Sequence, residues 1–209
     1  VQRGIAEAMG DSSVERVTVV KPVRLGYSTL LAAFIAYHVE NDPAPILAVQ
    51  PTESDCRGGV VDDIEPIFGA SPRLRGLLGV EHDPTGRSTI LSRKFPGGSL
   101  KLVAAKAPRN LRRHNARVLV LDEVDGMESG AEGSPITLAE RRTLSFPDRK
   151  ILAGSTPTLE DTSHVLRLYR ESDQRIFEMQ CPDCGGFHAP TWKDIVWPEG
   201  CPHEAAYCC

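Results

Sequence analysis

The segment VTVVKPVRLGYSTLL, at 17–31, constrains the fold more than any other part of this chain. Its β-branched start predicts a strand, and the apolar spacing of STLLAAFIAYHVEN predicts a helix that ends before Pro43. A strand, a loop and a helix in this order form the frame of a phosphate-binding loop, G-x-x-x-x-G-K-[ST]. In that frame Lys21 stands at the first glycine, Gly26 at the second, Tyr27 at the lysine and Ser28 at the hydroxyl position.

Such a loop can surround a phosphate chain with backbone N–H groups, and the helix N-terminus adds a positive dipole. Ser28 would offer its hydroxyl to Mg²⁺. Because Tyr27 replaces the usual lysine, the positive charge must come from Lys21 or Arg24. An ordinary strand-to-helix turn is the alternative interpretation of this loop alone. The predicted ATP-binding residues are Lys21, Pro22, Val23, Arg24, Leu25, Gly26, Tyr27, Ser28 and Thr29.

Further apolar runs alternate with helical patterns along the chain. PILAVQP, VLVLD and RKILAGS are predicted strands, and TESDCRGGVVDDIEPIF is a predicted helix capped by Thr52 or Ser54. STILSRKFPGGSLKLVAA carries Pro-Gly-Gly between two alternating segments, which is typical of a hairpin. The pattern predicts a three-layer α/β domain over residues 1–178, with a mostly parallel central sheet.

Two more predicted strands end in reactive groups. VLVLDEVDG ends in Asp122, which would hold Mg²⁺, and in Glu123, which would orient the water that attacks the γ-phosphate. The other strand ends in Gly154, Ser155 and Thr156, whose hydroxyls could sense that phosphate. An ordinary turn after a buried strand is the alternative interpretation of each of these strand ends taken alone. Three such ends in one parallel sheet favour a nucleotide site, because ligands of open α/β sheets bind at the carboxyl ends of the strands.

A basic segment, KAPRNLRRHNAR, precedes the acidic strand in a chain of formal net charge -4. Arg109, Arg112 and Arg113 are candidates for DNA phosphate contacts or for an arginine finger in a neighbouring subunit's ATP site. A solvated connection is the alternative. Arg141 and Arg142 form a second, weaker candidate pair.

Five of the six cysteines lie close together at the end of the chain. The pattern CPDCGG, with Cys181 and Cys184, is typical of a zinc knuckle, and it indicates a metal site in a reducing compartment. Cys209, or else Cys208, is the predicted third ligand, with the fourth beyond Cys209. Cys201 and His203 are the alternative ligands within the chain, whereas Cys56 is expected to be a core residue.

Composition narrows the class of protein. The chain is 41% hydrophobic and 25% charged, as globular proteins are, and no apolar run approaches the ~20 residues that span a bilayer. We therefore expect no membrane span. The chain starts without methionine and ends on YCC inside a cysteine pattern, so we expect both ends to be cut.

These motifs together resemble the large terminase subunit of tailed bacteriophages, of the lambda-like GpA type. The similar segments, in that family's order, are VVKPVRLGYST, VQPTESD, FPGGSLKLV, ARVLVLDEVD, EGSPITLAERRTLSFPDRKILAGSTPT and LYRESDQRIFEMQCPDCG. A lysine at the start of the phosphate loop is itself a feature of that family. Thr29 departs from the residue that often follows the loop serine there, and Gln2 matches a glutamine that reads adenine in related motors.

The resemblance implies an additional-strand, catalytic-glutamate P-loop NTPase that hydrolyses Mg-ATP to drive double-stranded viral DNA into a procapsid. In it Lys21, Arg24, Asp122 and Glu123 would be catalytic, and residues 154–156 would couple hydrolysis to movement. The implied partners are DNA, a small terminase subunit, the portal and further copies in a ring, all in the host cytoplasm. Residues 179–209 would begin a zinc-ribbon-like segment that is truncated here, with Zn²⁺ in the intact protein. The family's nuclease domain would be absent, so this chain would not cut DNA.

Two alternatives remain at this stage. A superfamily 2-like helicase or translocase would share the three strand ends, and only the intervening segments distinguish it. A zinc-ribbon binding module on an inactive nucleotide fold is the alternative of another class, and Tyr27 at the lysine position motivates it.

Overall fold

The computed structural model describes residues 2–79 and 88–209, which form two compact units, 2–172 and 173–209. The segment predicted to form a hairpin, 88–105, lies within the described residues. The helices are α1 (Gln2–Gly10), α2 (Tyr27–Glu40), α3 (Glu53–Gly58), a π-helix (Gly59–Ile64), α4 (Glu65–Ala70), α5 (Pro108–Leu111), α6 (Pro135–Glu140), α7 (His164–Arg170) and 3-10 turns at Val124–Gly126, Trp192–Asp194 and Pro202–Glu204. The strands are β1 (Arg16–Val20), β2 (Pro45–Gln50), β3 (Ser92–Phe95), β4 (Gly98–Ala104), β5 (Val118–Asp122), β6 (Lys150–Ser155), β7 (Met179–Gln180), β8 (Phe187–His188), β9 (Ile195–Val196) and β10 (Ala206–Tyr207).

Six strands of residues 2–172 form one sheet in the order β1-β6-β5-β2-β4-β3. All neighbours pair in parallel except β3 and β4, which are antiparallel. The mostly parallel sheet predicted from the sequence is therefore confirmed. The predicted Pro-Gly-Gly hairpin is the β3–β4 pair, where Gly97 turns the chain with a φ of 83°.

The sheet is covered on both faces. Alternate strand residues such as Ile46 and Val120 pack with Leu31 and Ile35 of α2 in one apolar cluster. The residues between them in the strands face a second cluster, which includes Ile136 of α6 and residues of α7. This division follows from the two-residue period of a strand, which sends successive side chains to opposite faces. The result is the expected order of helix layer, sheet and helix layer.

Local signals place several helix ends. Thr52 caps α3: its hydroxyl accepts from the Asp55 N–H, and the Asp55 carboxylate accepts from the Thr52 N–H. Ser163 caps α7 with a single bond, in which its hydroxyl accepts from the Leu166 N–H at 3.2 Å. The predicted helix after Thr52 divides into α3, the π-helix and α4, and α1 is a helix that the sequence analysis did not anticipate.

Residues 173–209 form two hairpins, with β7 paired to β8 and β9 paired to β10. The rings of Trp192 and Trp197 meet edge to face, with centroids 6.4 Å apart. Among the helices of the described residues, none combines the length and apolarity that crossing a membrane requires.

Candidate functional site

Three strands bring their carboxyl ends to one edge of the sheet. β6 lies between β1 and β5 and runs parallel to both, so Lys21, Ser155 and Asp122 follow or end neighbouring strands. The Lys21 N–H donates to the Ser155 carbonyl at 3.1 Å. The three polar strand ends that the sequence singled out therefore meet in space.

Lys21 is the cation at the centre of this edge. It is only 9% exposed, and its ammonium forms an ion pair with Glu123 and lies 3.8 Å from Asp122. The same ammonium lies 4.9 Å from the centroid of the Tyr27 ring, within the range of a cation–π contact. The lysine at the start of the loop thus reaches the acids at the end of β5.

Tyr27 points into the protein rather than toward the loop opening. Its side chain is buried, and within the described residues its hydroxyl has no hydrogen-bond partner. Burial, followed by the charges of Asp122 and Glu123, holds its pKa well above the usual range. A Cβ placed on Gly154 would lie 2.4 Å from the Tyr27 ring, so the ring fits beside β6 only because residue 154 is glycine. Tyr27 can offer a ligand only its backbone.

The predicted phosphate loop has two residues with left-handed backbone. Arg24 has a φ of 62° and Gly26 a φ of 76°, and Gly26 precedes the first turn of α2. Val23, Arg24 and Ser28 are exposed. The Gln2 amide donates to the Leu25 carbonyl at 2.6 Å. Gln2, expected from the resemblance to read adenine, therefore holds the loop itself in this structure.

Glu123 has an unusual conformation for its residue type. Its φ is 51°, in the left-handed region, which is uncommon outside glycine and clusters at functional sites. Its N–H donates to Asp122 Oδ1 at 3.0 Å, and its Oε2 accepts from the Ser155 hydroxyl at 3.2 Å. A hydrogen bond therefore joins Glu123, the predicted catalytic acid, to Ser155 of the predicted coupling strand.

Asp122 is a strongly perturbed acid. Burial, followed by the negative charges of Glu123 and Asp63, raises its pKa to about 6 against the opposing charge of Lys21. An open cleft of about 310 Å³ lies beside it. The cleft is lined by Gln50, Pro51, Asp55, Gly59, Asp63, Asp122 and Glu123.

Ser28, Asp63 and Asp122 also line one smaller cavity of about 20 Å³. A hydroxyl and two carboxylates are hard oxygen donors, the type that Mg²⁺ prefers. The donor set at this edge therefore fits the metal that the sequence predicts for Ser28 and Asp122.

Gln50 and Asp63 were missed by the sequence analysis. Asp63 lies in the π-helix, a form that occurs mostly as single turns within α-helices and is frequent at functional sites. Burial, followed by the charge of Asp62, raises the pKa of Asp63. A Cβ on Gly59 would lie 2.8 Å from the Gln50 amide, so that glycine permits a close approach. In the sequence, Asp63 is indistinguishable from an acid on the exposed face of a helix.

Asp125 organises the segment after the coupling strand. Its carboxylate accepts from the N–H groups of Thr158, at 2.9 Å, and Val165, at 2.8 Å. Burial raises the pKa of this carboxyl, but these bonds and one from Ser163 outweigh that effect and lower it. Its own N–H donates to the Ser155 hydroxyl at 3.3 Å. Asp125 therefore joins β6, the loop that follows it and α7.

The basic segment forms α5 and the turn after it. Arg109, Arg112 and Arg113 are all exposed, and the Arg112 guanidinium also forms an ion pair with Glu132 at 2.8 Å. The Arg142 guanidinium donates to the Arg112 carbonyl at 3.2 Å. Arg112 and Arg142 therefore have structural contacts that Arg109 and Arg113 are not shown to share.

The cysteines lie in two parts of the chain, Cys56 in residues 2–172 and the other five in residues 173–209. Cys56 is buried, and burial raises its pKa to about 11. In residues 173–209, the sulfurs of Cys181, Cys184 and Cys209 lie within 4.8 Å of one another. The alternative ligands lie in a separate group, made of Cys201, His203 and Glu204.

Comparison with known proteins finds relatives that are all large subunits of phage terminases. The family model "Phage terminase large subunit gpA, ATPase domain" matches residues 1–209. The large terminase subunits of Escherichia phage lambda and Enterobacteria phage P21 are 28% and 26% identical, over 218 and 221 residues. These alignments cover 100% of this chain and 34% of each relative, so the chain spans about a third of their length.

Solved structures show the same type of fold. The large terminase of bacteriophage HK97 matches with a TM-score of 0.62 and 14% identity, over 81% of this chain and 35% of that one. The large terminase ATPase domain of Thermus phage P74-26 matches with a TM-score of 0.54 and 18% identity, over 89% of this chain and 76% of that one. With the family match over its whole length, the chain belongs to the family of phage terminase large subunit gpA ATPase domains.

Proposed function

We propose that residues 2–172 bind Mg-ATP where β1, β6 and β5 end, and hydrolyse it to drive double-stranded viral DNA into the procapsid. The observation that carries this proposal is the convergence of Lys21, Glu123 and Ser155, which come from three distant parts of the chain. The position of β6 between β1 and β5 supports the additional-strand type of P-loop NTPase.

The phosphate side of the site is residues 21–29. Left-handed backbone at Arg24 and Gly26 turns the loop ahead of α2, and the N-terminus of that 14-residue helix favours a bound anion. Lys21 supplies the charge that the usual lysine would supply. In this structure its ammonium binds Glu123, so a triphosphate competes with Glu123 for the same cation.

Glu123 then takes its catalytic role. Once the phosphates occupy Lys21, the Glu123 carboxylate is released to orient the attacking water. Phosphoryl transfer asks little covalent chemistry of a protein, so positioning and charge stabilisation account for the rate. Ser28 and Asp122 would hold Mg²⁺, which neutralises charge on the phosphate oxygens.

Ser155 is the link from chemistry to movement. Its hydroxyl donates to Glu123 and accepts from the Asp125 N–H, and Asp125 holds Thr158 and Val165. A movement of the Glu123 carboxylate therefore changes a chain of hydrogen bonds that ends in the loop after β6 and in α7. Gly154 and Thr156 flank this link.

The remaining assignments concern partners. Arg109 and Arg113 are the better candidates for DNA phosphate contacts or for a finger reaching a neighbouring copy, because Arg112 would first have to leave Glu132. By resemblance the protein works as a ring on the portal, with a small terminase subunit, in the host cytoplasm.

The experiment measures Mg-dependent ATP hydrolysis and ATP binding over a range of protein concentrations. Glu123→Gln should lower turnover by about 10²-fold or more. Because it also frees Lys21, its affinity for ATP should equal or exceed that of the wild type. Lys21→Ala should lose ATP binding. Glu128→Gln changes an exposed acid outside the site and should leave both quantities unchanged.

Three outcomes would overturn the proposal. A folded chain that neither binds nor hydrolyses ATP at any concentration would favour a binding module on an inactive nucleotide fold. Equal ATP affinity in Lys21→Ala and wild type would remove the displaced lysine from the site. Directional movement on single-stranded nucleic acid without any dependence on a duplex would instead favour the helicase alternative.

A further inference from the structure

Tyr27 stands where a usual phosphate loop has its lysine, at the first residue of α2. Its side chain is only 4% exposed and belongs to the apolar cluster that includes Val19 and Leu31. The ring also lies against Gly154 of β6, because a Cβ built on that glycine would come within 2.4 Å of it. Core packing therefore fixes the ring beside the phosphate loop.

The Tyr27 hydroxyl makes no hydrogen bond within the described residues, although it is buried. A buried hydroxyl without a partner costs stability, so the fold gains nothing from this group. Burial, followed by the charges of Asp122 and Glu123, raises the pKa of Tyr27 well above its usual range, so the phenol stays neutral. What Tyr27 offers its surroundings is therefore a neutral aromatic ring.

The neighbour that uses this ring is Lys21. Its ammonium lies 4.9 Å from the ring centroid, inside the ~6 Å range over which a ring face attracts a cation. Lys21 is only 9% exposed, and such a contact is stronger where less water competes for the cation. The same ammonium forms an ion pair with Glu123 and lies 3.8 Å from Asp122. Lys21 thus has carboxylates and a neutral ring as partners.

The two kinds of partner differ in what they do to a bound nucleotide. The Glu123 carboxylate neutralises the ammonium, so a triphosphate has to displace it. The neutral ring attracts the ammonium and leaves its charge in place, so this contact can persist when phosphates bind. Ordering a free lysine side chain on binding costs free energy. A ring that already holds Lys21 at the loop removes most of that cost.

We propose that Tyr27 is a positioning residue for Lys21, and that its ring face holds the ammonium at the phosphate loop, where ATP meets it. This inference rests on the proposed function, because it takes Lys21 to bind the triphosphate. Tyrosine at the usual lysine position is then a working part of the displaced-lysine loop and no sign of an inactive nucleotide fold. The ring carries the effect, and the hydroxyl does not.

The test measures the affinity for ATP by calorimetry with Mg²⁺ in the Glu123→Gln chain, where slow turnover keeps ATP intact and Lys21 has lost its ion pair. Tyr27→Leu should weaken ATP binding about threefold to tenfold, because Lys21 loses the ring. Tyr27→Phe keeps the ring and should stay within about twofold of the parent chain. Tyr37→Leu alters an exposed tyrosine about 15 Å further along α2 and should leave the affinity unchanged.

A graded series separates the charge distribution of the ring from its volume. Phenylalanine analogues with an increasing number of ring fluorines, introduced at position 27, keep the ring shape and withdraw negative charge from its face. Because that charge attracts the cation, the affinity for ATP should fall with each added fluorine. The free energy of unfolding should not fall in parallel. A ring that only fills space would give the same affinity throughout the series.

A second measurement needs no nucleotide. In protein labelled at lysine, the ε-methylene protons of Lys21 should resonate upfield of those of exposed lysines, because they lie over the Tyr27 ring. Tyr27→Leu should remove this shift and Tyr27→Phe should keep it. The resonance is assigned by its loss in Lys21→Ala. An Lys21 resonance at the position of exposed lysines would contradict the contact itself.

The remaining results divide clearly. A fluorine series of constant ATP affinity, or a loss in Tyr27→Phe as large as in Tyr27→Leu, would overturn this inference. If Tyr27→Leu does not fold, the fluorine series decides, because it preserves the ring. Failure of the proposed function looks different, since Lys21→Ala would then bind ATP as tightly as its parent. Loss of ATP binding in Lys21→Ala with a flat Tyr27 series would sink this inference alone.

Discussion

Replacing Asp122 with asparagine should stabilise the protein in the absence of nucleotide and metal. The side chain is 15% exposed, and burial, followed by the charges of Glu123 and Asp63, raises its pKa to about 6 in spite of Lys21. In an unfolded chain an aspartic acid titrates near ~3.9. Between these two values the folded state binds more protons than the unfolded state, so the free energy of unfolding falls as pH rises through this window. Above about pH 6 the cost of the buried carboxylate is complete.

The expected size of the effect follows from the shift. A rise of about two pKa units corresponds to about 3 kcal/mol at ~1.4 kcal/mol per unit. Asparagine keeps the shape of the side chain and an acceptor for the Glu123 N–H, but it loses attraction to Lys21. We therefore expect Asp122→Asn to gain about 1 to 3 kcal/mol near pH 7.5 and almost nothing near pH 4.

Urea denaturation followed by far-ultraviolet circular dichroism, at several pH values and without Mg²⁺ or ATP, measures this difference. Asp161→Asn alters an exposed acid and should change the free energy of unfolding by less than about 0.5 kcal/mol at every pH. A gain that is the same near pH 4 and pH 7.5 would refute the assignment to the Asp122 carboxylate. A loss of stability at neutral pH would show that pairing with Lys21 outweighs burial.

Two further substitutions test the contacts around the site. Gly154→Ala places a Cβ against the Tyr27 ring and should lower the free energy of unfolding by about 1 to 3 kcal/mol. Tyr27→Leu in the same chain should recover part of this loss in urea denaturation. Strictly additive effects of the two substitutions would contradict the proposed collision. Asp125→Ala removes the acceptor of the Thr158 and Val165 N–H groups and should lower the free energy of unfolding by about 1 to 3 kcal/mol. Those two amides should also exchange hydrogen faster. Unchanged exchange would show that other contacts hold them.

The sheet and the place of the site were predictable because they depend on local pattern. The run before Asp122 is apolar at every position, and such a run is typical of a strand covered on both faces. Parallel strands then bring their carboxyl ends to one edge, so Lys21, Asp122 and Ser155 could be grouped before any contact was known. The Pro-Gly-Gly hairpin and the Thr52 cap depend on equally short signals.

The contacts inside the site were not predictable in this way. Asp63 reaches Asp122 from a π-helix, and periodicity gives no sign of where a helix widens by one residue. The pKa of Asp122 depends on burial and on charges far away in the sequence. His188 lies four residues from Cys184, and only the pairing of β7 with β8 shows that its ring nitrogen approaches the Cys184 sulfur, at 3.9 Å.

The displaced lysine is best understood as part of a set of three residues. The Tyr27 ring occupies the space beside β6 and fits there because Gly154 has no side chain. Lys21 comes from the other side of the loop and rests against that ring, which keeps its ammonium beside Glu123. Moving the lysine to position 27 alone would exchange a buried ring for a buried charge, with a cost that Gly154 could not offset. The unusual loop therefore depends on β6 as much as on its own sequence, and it joins the phosphate loop to the strand that carries Ser155.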